Sequence, residues 1–286
     1  MNITQVKEIL NKYQVSVKKQ FGQNFLMDEN VISNICDVSS VDEETNVIEI
    51  GPGLGFLTNI LAKRAKKVLC YKIDPEMIKV LTNRFENNNK VVIKYQDFLK
   101  ANIDYDVKNI FETVKVIVVA NLPYYITTAI LLKILEESKI IKSLTVMMQL
   151  EVANRICGTP STKDYNSLSV LIQYYTTSSL KIKVKPSCFY PEPNVDSGVV
   201  LIIYKDEIKN PAVNEEYFKK FNRAIFTQRR KTLVNNLKTY LSIDKELIEQ
   251  ILNDNNLPLT IRSEALSVDQ IVNLSNQFYL AQNNNK

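Results

Sequence analysis

The sequence contains no histidine and no tryptophan among its 286 residues. The missing histidine matters most for function, because serine and cysteine hydrolases of the triad type use an imidazole as their base. Imidazole is also the commonest metal ligand in proteins. We therefore expect no triad hydrolysis, no imidazole acid-base catalysis and no metal. Any chemistry must use amides, carboxylates, hydroxyls or the positioning of substrates.

Cysteine is scarce and scattered. The four cysteines, Cys36, Cys70, Cys157 and Cys188, form no C-x-x-C pair. This spacing excludes a zinc ribbon and a dithiol redox motif, so we expect reduced thiols in the core. No apolar run approaches the about 20 residues of a membrane helix, and the first residues lack a secretory hydrophobic segment. We expect a cytoplasmic protein without a membrane segment.

The composition is that of an ordinary globular protein, with 45% hydrophobic and 23% charged residues. The length allows one large domain, or one medium domain and a small one. The formal net charge of +5 and the isoelectric point near 8.8 favour anionic partners such as nucleic acid. Many housekeeping proteins share this balance, so charge alone does not identify the partner.

Short apolar strands alternate with helical patterns through the first two thirds of the chain. The predicted strands are 46–50, 68–73, 91–95, 116–120 and 144–149, and the predicted helices include 56–64, 75–85 and 127–138. Two later runs, 179–184 and 197–204, are expected to close the sheet as an antiparallel pair. The pattern predicts a Rossmann-like α/β fold with a seven-stranded, mostly parallel sheet and ligands at the carboxyl ends of its strands.

The pattern becomes purely helical after about residue 210. Predicted helices are 214–226, 230–241, 244–253 and 267–277, and the segment 205–211, which is charged and ends in a proline, is the predicted linker. We therefore divide the chain into a catalytic domain, 1–206, and a small all-helical domain, 207–286. The sequence has no internal repeat, and only the tail 282–286 is predicted to be disordered.

Three alternate glycines, Gly51, Gly53 and Gly55, follow the first predicted strand of the sheet and precede a helix. Glycine is needed where a turn requires positive φ and where a ligand approaches the main chain closely. The spacing is neither the dinucleotide G-x-G-x-x-G nor a P-loop. With Glu49 just ahead of it, the turn resembles motif I of S-adenosylmethionine-dependent methyltransferases.

The residues Asn121-Leu122-Pro123-Tyr124 follow a strand that is entirely apolar. The Asn121 side-chain oxygen and the Leu122 carbonyl can accept hydrogen bonds from the amino group of an adenine, and Tyr124 can lie over the ring. The alternative is a turn that merely ends the strand, with asparagine and proline as turn formers.

Five motifs occur in the order found in ribosomal RNA adenine N6-dimethyltransferases, which the chain resembles over nearly its whole length. They are Gly22-Gln23-Asn24-Phe25-Leu26, the glycine turn, Gln96-Asp97, Asn121 to Tyr125, and Phe189-Tyr190-Pro191-Glu192-Pro193. Leu122 and the basic signatures of the tail favour the KsgA type over the large-subunit, macrolide-resistance type, which reads Asn-Ile-Pro-Tyr. The resemblance implies dimethylation of two adjacent adenosines near the 3′ end of small-subunit (16S) ribosomal RNA, a role in subunit biogenesis, and a monomer.

The resemblance also implies roles for individual residues. The target base is expected to contact Asn121, Leu122, Pro123 and Tyr124, with Phe189 on its other face. The residues expected to bind S-adenosylmethionine are Gln23, Asn24, Leu26, Glu49, Gly51, Gly53, Gly55, Lys72, Ile73, Asp97, Phe98 and Asn121. The residues expected to contact RNA phosphates are Lys18, Lys19, Arg229, Arg230 and Lys231, the last three on a C-terminal helix. Solvated surface charge is the alternative for this basic set.

Lys72 departs from the family, which has an acidic residue where this lysine stands. That carboxylate normally accepts hydrogen bonds from ribose hydroxyls, whereas an ammonium only donates. The change is expected to lower cofactor affinity roughly tenfold to several hundredfold. Asp74 would substitute only if its loop shifted. Two hypotheses follow: a methyltransferase with impaired cofactor binding, or a non-catalytic factor in ribosome assembly.

Overall fold

The computed structural model describes residues 3–18, 22–111 and 115–284. Its strands are β1 Phe25–Leu26, β2 Asn46–Ile50, β3 Lys67–Lys72, β4 Val91–Tyr95, β5 Val116–Asn121, β6 Ile141–Gln149, β7 Thr176–Val184, β8 Phe189–Tyr190 and β9 Ser197–Tyr204. Its helices are α1 Ile3–Lys12, α2 Glu29–Val38, α3 Phe56–Arg64, α4 Pro75–Phe85, α5 Ile103–Ile110, α6 Thr127–Glu137, α7 Leu150–Ile156, α8 Ser167–Tyr175, α9 Glu215–Ile225, α10 Leu233–Leu241, α11 Lys245–Asp254 and α12 Val268–Asn284.

Seven strands form one sheet in the order β4-β3-β2-β5-β6-β9-β7. The pairs β2–β3, β3–β4, β2–β5 and β5–β6 are parallel, and β6–β9 is antiparallel. The predicted Rossmann-like fold with a mostly parallel, seven-stranded sheet is confirmed. The sequence did not show that β9 lies between β6 and β7.

The chain order reverses beside β2, since β3 and β4 lie on one side of it and β5 and β6 on the other. All five residues of β2 are buried, as are the first five of β5, because helices cover both faces of a parallel sheet. In such sheets ligands bind beyond the carboxyl ends of the strands at the point of reversal. β2 ends at the glycine turn and β5 ends at Asn121, so both motifs lie at that point.

A second, two-stranded sheet joins distant parts of the sequence. β1 pairs antiparallel with β8, with Phe25 opposite Tyr190 and Leu26 opposite Phe189. The Met27 amide also donates to the Cys188 carbonyl at 2.9 Å. The Gly22–Leu26 motif is therefore fixed next to the Phe189–Pro193 motif.

The chain divides into two compact units, of which one comprises residues 1–153 and 179–204 and the other comprises residues 154–178 and 205–286. In the second unit, α8 packs against α9 and α12. Tyr174 of α8 contacts Phe218 of α9 with ring centroids 4.7 Å apart, and Phe221 contacts Phe278 at 5.7 Å. The sequence division at residue 206 did not anticipate that 154–178 belong with the helical unit.

Two predicted boundaries in the helical unit differ from those found. The side chain of Thr232 accepts a hydrogen bond from the Asn235 amide and caps α10, so this helix begins at Leu233. The Arg229–Lys231 cluster consequently lies in the preceding loop and not on a helix. At the other end, α12 continues to Asn284, although the sequence predicted a disordered tail from residue 282.

Candidate active site

The glycine turn after β2 requires glycine for two different reasons. Gly51 has φ +70° and Gly55 has φ +82°, in the left-handed region that side chains with a Cβ rarely adopt. A Cβ on Gly55 would also lie 2.7 Å from Cε2 of Phe85, whereas a Cβ on Gly51 would meet Pro123 at an ordinary 3.6 Å. Gly55 therefore packs against the core, and Gly51 borders the open space above the sheet.

Two adjoining cavities lie at the carboxyl ends of the central strands. The first, of about 660 Å³ with its open mouth, is lined by Gly22, Gln23, Asn24, Phe25, Leu26, Glu49, Gly51, Pro52, Gly53, Leu54, Phe56, Leu57, Lys72, Asn121, Leu122, Pro123 and Tyr124. The second, of about 410 Å³, is lined by Ile50, Gly51, Tyr71, Lys72, Ile73, Gln96, Asp97, Phe98, Pro123, Tyr125 and Ile126. Both are lined by Gly51, Lys72 and Pro123. The structure thus brings together almost all of the residues that the sequence assigned to the cofactor and base.

Glu49 lies beneath the glycine turn and is 1% exposed. Its Oε2 accepts hydrogen bonds from the Thr58 hydroxyl at 2.6 Å and from the Cys70 thiol at 3.8 Å. Burial raises the pKa of Glu49 to about 8, although these two hydrogen bonds act in the opposite direction. Burial therefore favours the protonated form of Glu49, and a cation beside it would favour the carboxylate.

The Asn121 amide is oriented by the N-terminal motif. Its Nδ2 donates to the Asn24 carbonyl at 3.3 Å, which leaves Oδ1 as the atom available to accept a hydrogen bond. The following Leu122 amide donates to the Met147 carbonyl at 3.0 Å. The Pro123 carbonyl accepts from the Thr127 hydroxyl at 3.0 Å. The turn after β5 is therefore held at both ends.

Tyr124 is fixed by a residue that the sequence interpretation missed. Its hydroxyl is 2.6 Å from Oγ of Ser197, the fully buried first residue of β9. Burial raises the pKa of Tyr124, so the phenol stays neutral. The sequence predicted this serine only as the start of a strand. Because β9 pairs antiparallel with β6, the first residue of β9 lies at the carboxyl end of β6, where it reaches the Tyr124 hydroxyl.

Phe189 does not provide an exposed ring face. It was expected to cover the target base opposite Tyr124, but its side chain is 0% exposed and belongs to the hydrophobic core. The pairing of β8 with β1 places the ring in this core. Among the described residues, Tyr124 is the aromatic ring that lines the first cavity at the turn after β5.

The second cavity contains the Asp97 carboxyl group and the Phe98 ring. One Asp97 oxygen accepts from the Leu99 amide at 3.0 Å, which begins a short 3-10 helix. Phe98 packs edge-on against Tyr71 with ring centroids 5.2 Å apart. An apolar wall beside a carboxylate acceptor suits an adenine ring with its amino group.

Comparison with known proteins identifies the family. The sequence model of the family described as ribosomal RNA adenine dimethylase matches residues 14–277. The chain belongs to this family. It is 45% identical to the ribosomal RNA small subunit methyltransferase A of Bacillus pumilus and 44% identical to that of Bacillus cytotoxicus. Each alignment covers 274 residues, 94% of this chain and 94% of the relative.

Two solved structures share the fold of this family member. The 23S ribosomal RNA methyltransferase ErmE is 25% identical, with a TM-score of 0.69 over 89% of this chain and 99% of that chain. A dimethyladenosine transferase from Plasmodium falciparum is 23% identical, with a TM-score of 0.72 over 91% and 98%. The expected enzyme class, ribosomal RNA adenine dimethyltransferase, is confirmed by the family match.

Asp74 is not free to take the role that the resemblance assigns to an acidic residue at position 72. The Asp74 carboxylate is 0% exposed and accepts hydrogen bonds from Lys18 Nζ at 3.0 Å and from Gln23 Nε2 at 2.8 Å. It also accepts from the Glu76 amide at 3.2 Å and caps α4. Burial alone would raise the pKa of Asp74, but the hydrogen bonds outweigh it and hold the pKa below its usual range. Asp74 is thus committed to its own neighbours.

The residues expected to contact RNA fall into different environments. Lys18 forms ion pairs with Asp74 and with Glu76 at 3.1 Å, and Lys19 lies outside the described residues. Arg229 donates to the Glu264 carboxylate at 2.9 Å and to the Lys163 carbonyl at 2.6 Å. Lys18 and Arg229 are thus paired within the protein, but Arg229 is exposed and lines the same surface depression as Arg230 and Lys231.

The described residues also bear on membrane and metal binding. None of the helices in that part of the chain is both long and apolar enough to span a membrane. The cysteine, aspartate and glutamate side chains described there form no group of three that would hold a metal ion.

Proposed function

We propose that this protein transfers methyl groups from S-adenosylmethionine to N6 of two adjacent adenosines near the 3′ end of 16S ribosomal RNA. The observation that carries the proposal is the Asn121–Tyr124 turn at the end of β5, where it lines the first cavity. The names of the relatives at 45% and 44% identity support the small ribosomal subunit as the substrate. We further propose that the protein acts in the cytoplasm as a monomer on the assembling subunit.

The catalytic role of the turn follows from the chemistry of the adenine amino group. The N6 lone pair is delocalised into the ring, so this nitrogen is a weak nucleophile. Hydrogen bonds from N6 to Oδ1 of Asn121 and to the Leu122 carbonyl favour the pyramidal amine, whose lone pair is available. The remaining rate enhancement comes from positioning, with Pro123 shaping the turn and Tyr124 holding the base by stacking.

The cavity residues fit S-adenosylmethionine except at Lys72. When bound, this cofactor supplies an electrophilic methyl group on a sulfonium. The Gly51–Gly55 turn permits close approach of the ligand, and Glu49 can ionise beside a cationic group. Asp97 and Phe98 suit the adenine, while Gln23, Asn24, Leu26 and Ile73 complete the walls. At the ribose position a carboxylate is expected and Lys72 is found.

Two successive methylations are compatible with acceptor-based recognition. N6-methyladenine still carries one N–H, which one of the two acceptors can bind. A pocket that used a tight steric wall would exclude the added methyl group, whereas Asn121 and the Leu122 carbonyl need not. The family membership gives dimethylation as the outcome.

The test is methyl transfer by an Asn121→Ala variant, with Asn83→Ala as the matched control. Asn83 lies on α4 with an exposed side chain, so its replacement should leave activity unchanged. We expect Asn121→Ala to lower the rate on 16S-containing particles about 100-fold or more. Rates equal to the control would refute the role of Asn121. Parallel assays on small and large subunits distinguish the proposed substrate from the 23S alternative.

Lys72 is the residue that motivates a second candidate function, which the relatives do not favour: a non-catalytic assembly factor that keeps the RNA-binding surface. Titration of S-adenosylmethionine into the protein and into Lys72→Glu distinguishes the two. Binding by the unaltered protein supports the enzyme. Binding only after glutamate is introduced supports the assembly factor, and binding by neither would contradict the proposed use of this cavity.

A further inference from the structure

Lys72 occupies the position where the two cavities meet. It is the last residue of β3, and the preceding residue, Tyr71, pairs with Ile50 at the end of β2. The Gly51 amide donates to the Tyr71 carbonyl at 3.0 Å, which fixes the glycine turn beside the end of β3. Lys72 therefore borders the space available to any ligand that spans both cavities.

The Lys72 side chain is enclosed yet lacks a partner. It is 9% exposed, and it forms no hydrogen bond or ion pair with any residue that the structure describes. The neighbouring Asp74 carboxylate is already bonded to Lys18 and Gln23. A largely enclosed cation without a hydrogen-bonded acceptor interacts more strongly than a solvated one with any charge placed in the same cavity.

The methyl donor and the demethylated product differ chiefly in charge. S-adenosylmethionine carries a sulfonium, whereas S-adenosylhomocysteine is the corresponding neutral thioether, and the adenine, ribose and amino-acid groups are the same. We propose that Lys72 is a specificity-determining residue that makes this site favour the neutral product over the cationic donor. The inference rests on the proposed use of S-adenosylmethionine and implies strong inhibition by product.

Asp74 offsets this cation only in part, because it favours the charged form of Lys72 but is bonded to Lys18 and Gln23 and does not line the first cavity. Glu49 is the carboxyl group that lines the cavity with Lys72, and burial holds its pKa near 8, so at neutral pH it carries little negative charge. Asp97 lines the second cavity and not the first. A sulfonium in the first cavity would therefore share it with the Lys72 cation, and Glu49 would have to lose its proton before it could offset that charge.

The test measures the dissociation constants of both ligands by isothermal titration in four proteins: the unaltered protein, Lys72→Arg, Lys72→Met and Lys72→Glu. Contacts that the two ligands share affect both dissociation constants equally, so they cancel in the ratio of the donor constant to the product constant. We expect this ratio to fall about tenfold from lysine to methionine and further with glutamate. Lys72→Arg keeps the charge and should keep the ratio.

A ratio that stays within about twofold in all four proteins would overturn the inference, because the discrimination would then not depend on charge at this position. Loss of binding of both ligands by all four folded proteins would instead refute the proposed function and, with it, this inference. The two failures are therefore distinguishable from the same titrations.

The pH dependence of the ratio provides a second, independent measurement. Burial lowers the pKa of Lys72, so its charge is lost as pH rises through the alkaline range, and the ratio should fall toward that of Lys72→Met. Other charged groups face this region, namely those of Lys18, Glu49, Asp74 and Asp97. They are present in the unaltered protein and in Lys72→Met alike, so they do not account for a difference between the two. Parallel pH profiles for the unaltered protein and Lys72→Met would contradict the inference.

Discussion

Glu49 shows how the environment of one residue couples stability to pH. The unfolded chain releases the Glu49 proton near pH 4, whereas the folded protein holds it until about pH 8. Between these values the folded state binds more protons, so the contribution of Glu49 to stability falls as pH rises and then levels off. The same carboxyl group becomes an anion most readily when a cationic ligand is bound.

We predict that Glu49→Gln removes this pH dependence. Glutamine has nearly the same shape but does not titrate, so the unaltered protein should lose stability relative to Glu49→Gln as pH rises from about 5 to about 8. Urea unfolding of both proteins across this range measures the difference. A constant difference from about pH 5 to about pH 9 would show that the pKa of Glu49 is not raised.

The sequence predicted which residue types line the cavity, but it did not predict the position of every side chain there. The motif residues Asn121 and Tyr124 were identified because an amide and an aromatic ring directly follow a buried strand. Ser197 was missed because its contact with Tyr124 depends on how β9 pairs with β6. Phe189 was misplaced for a similar reason, since its pairing with Leu26 spans a long stretch of sequence.

At the scale of elements, Gly51 and Gly55, two of the three glycines in the turn between β2 and α3, are expected to respond differently to substitution. Both have positive φ, which costs a residue with a Cβ about 1–2 kcal/mol. Only at Gly55 would the Cβ also collide with core side chains, at 2.7 Å from Phe85 and 3.0 Å from Leu81.

We predict that Gly55→Ala destabilises the protein by about 1–3 kcal/mol more than Gly51→Ala. Urea unfolding of the two variants measures this difference. Gly51→Ala is expected instead to weaken ligand binding, because Gly51 lines both cavities. Equal loss of stability in the two variants would mean that Phe85 and Leu81 move aside without cost.

Asp74 joins the start of α4 to the segment before β1. We predict that Asp74→Asn lowers the free energy of unfolding at neutral pH by about 1–3 kcal/mol, because the buried acceptor loses its charge. Because the folded pKa of Asp74 is depressed, this stabilisation is present above about pH 4 and is lost as pH falls further.

Urea unfolding of Asp74→Asn and of Glu76→Gln over the acid range tests this prediction. Glu76 also pairs with Lys18, but its side chain is 43% exposed, so Glu76→Gln should cost less than about 1 kcal/mol. Similar losses in the two variants would show that the Lys18 charge, and not the buried Asp74 acceptor, dominates.

Periodicity predicted the bounds of most helices and strands closely, because these bounds follow a local pattern of buried residues. The bounds 46–50, 56–64, 75–85, 91–95 and 197–204 coincide with the strands and helices found. The start of α10 depends on the Thr232 cap, which interrupts a pattern that looked helical from Arg230. The order of the strands in the sheet was harder to predict from the sequence, since strand pairing is set by tertiary packing.

At the scale of the whole molecule, we expect RNA affinity to depend steeply on salt, because phosphate contacts release counterions. We predict that Arg230→Ala with Lys231→Ala weakens binding to 16S ribosomal RNA and reduces the slope of log affinity against log salt by about 2. Lys238→Ala with Lys245→Ala makes the same change in net charge within the same unit. An equal effect of this control pair would mean that only total charge matters.

The division of the molecule could be predicted only in part. A change to purely helical periodicity near residue 210 indicated a second unit, and such a unit exists. Residues 154–178 escaped assignment because their apolar helix α8 lies between two strands of the sheet in sequence, while its Tyr174 packs on Phe218. Periodicity shows that a helix has a buried face but not which partner covers it.

The pairing of β1 with β8 has a consequence for the order of events during synthesis. Phe25 and Leu26 line the first cavity, but the strand they form is completed only by Phe189 and Tyr190. On the ribosome, that wall of the cavity therefore cannot be in place until about two thirds of the chain has been made. A chain that ended before Phe189 would carry the glycine turn and Asn121 but could not form this wall, so we expect it to lack methylating activity.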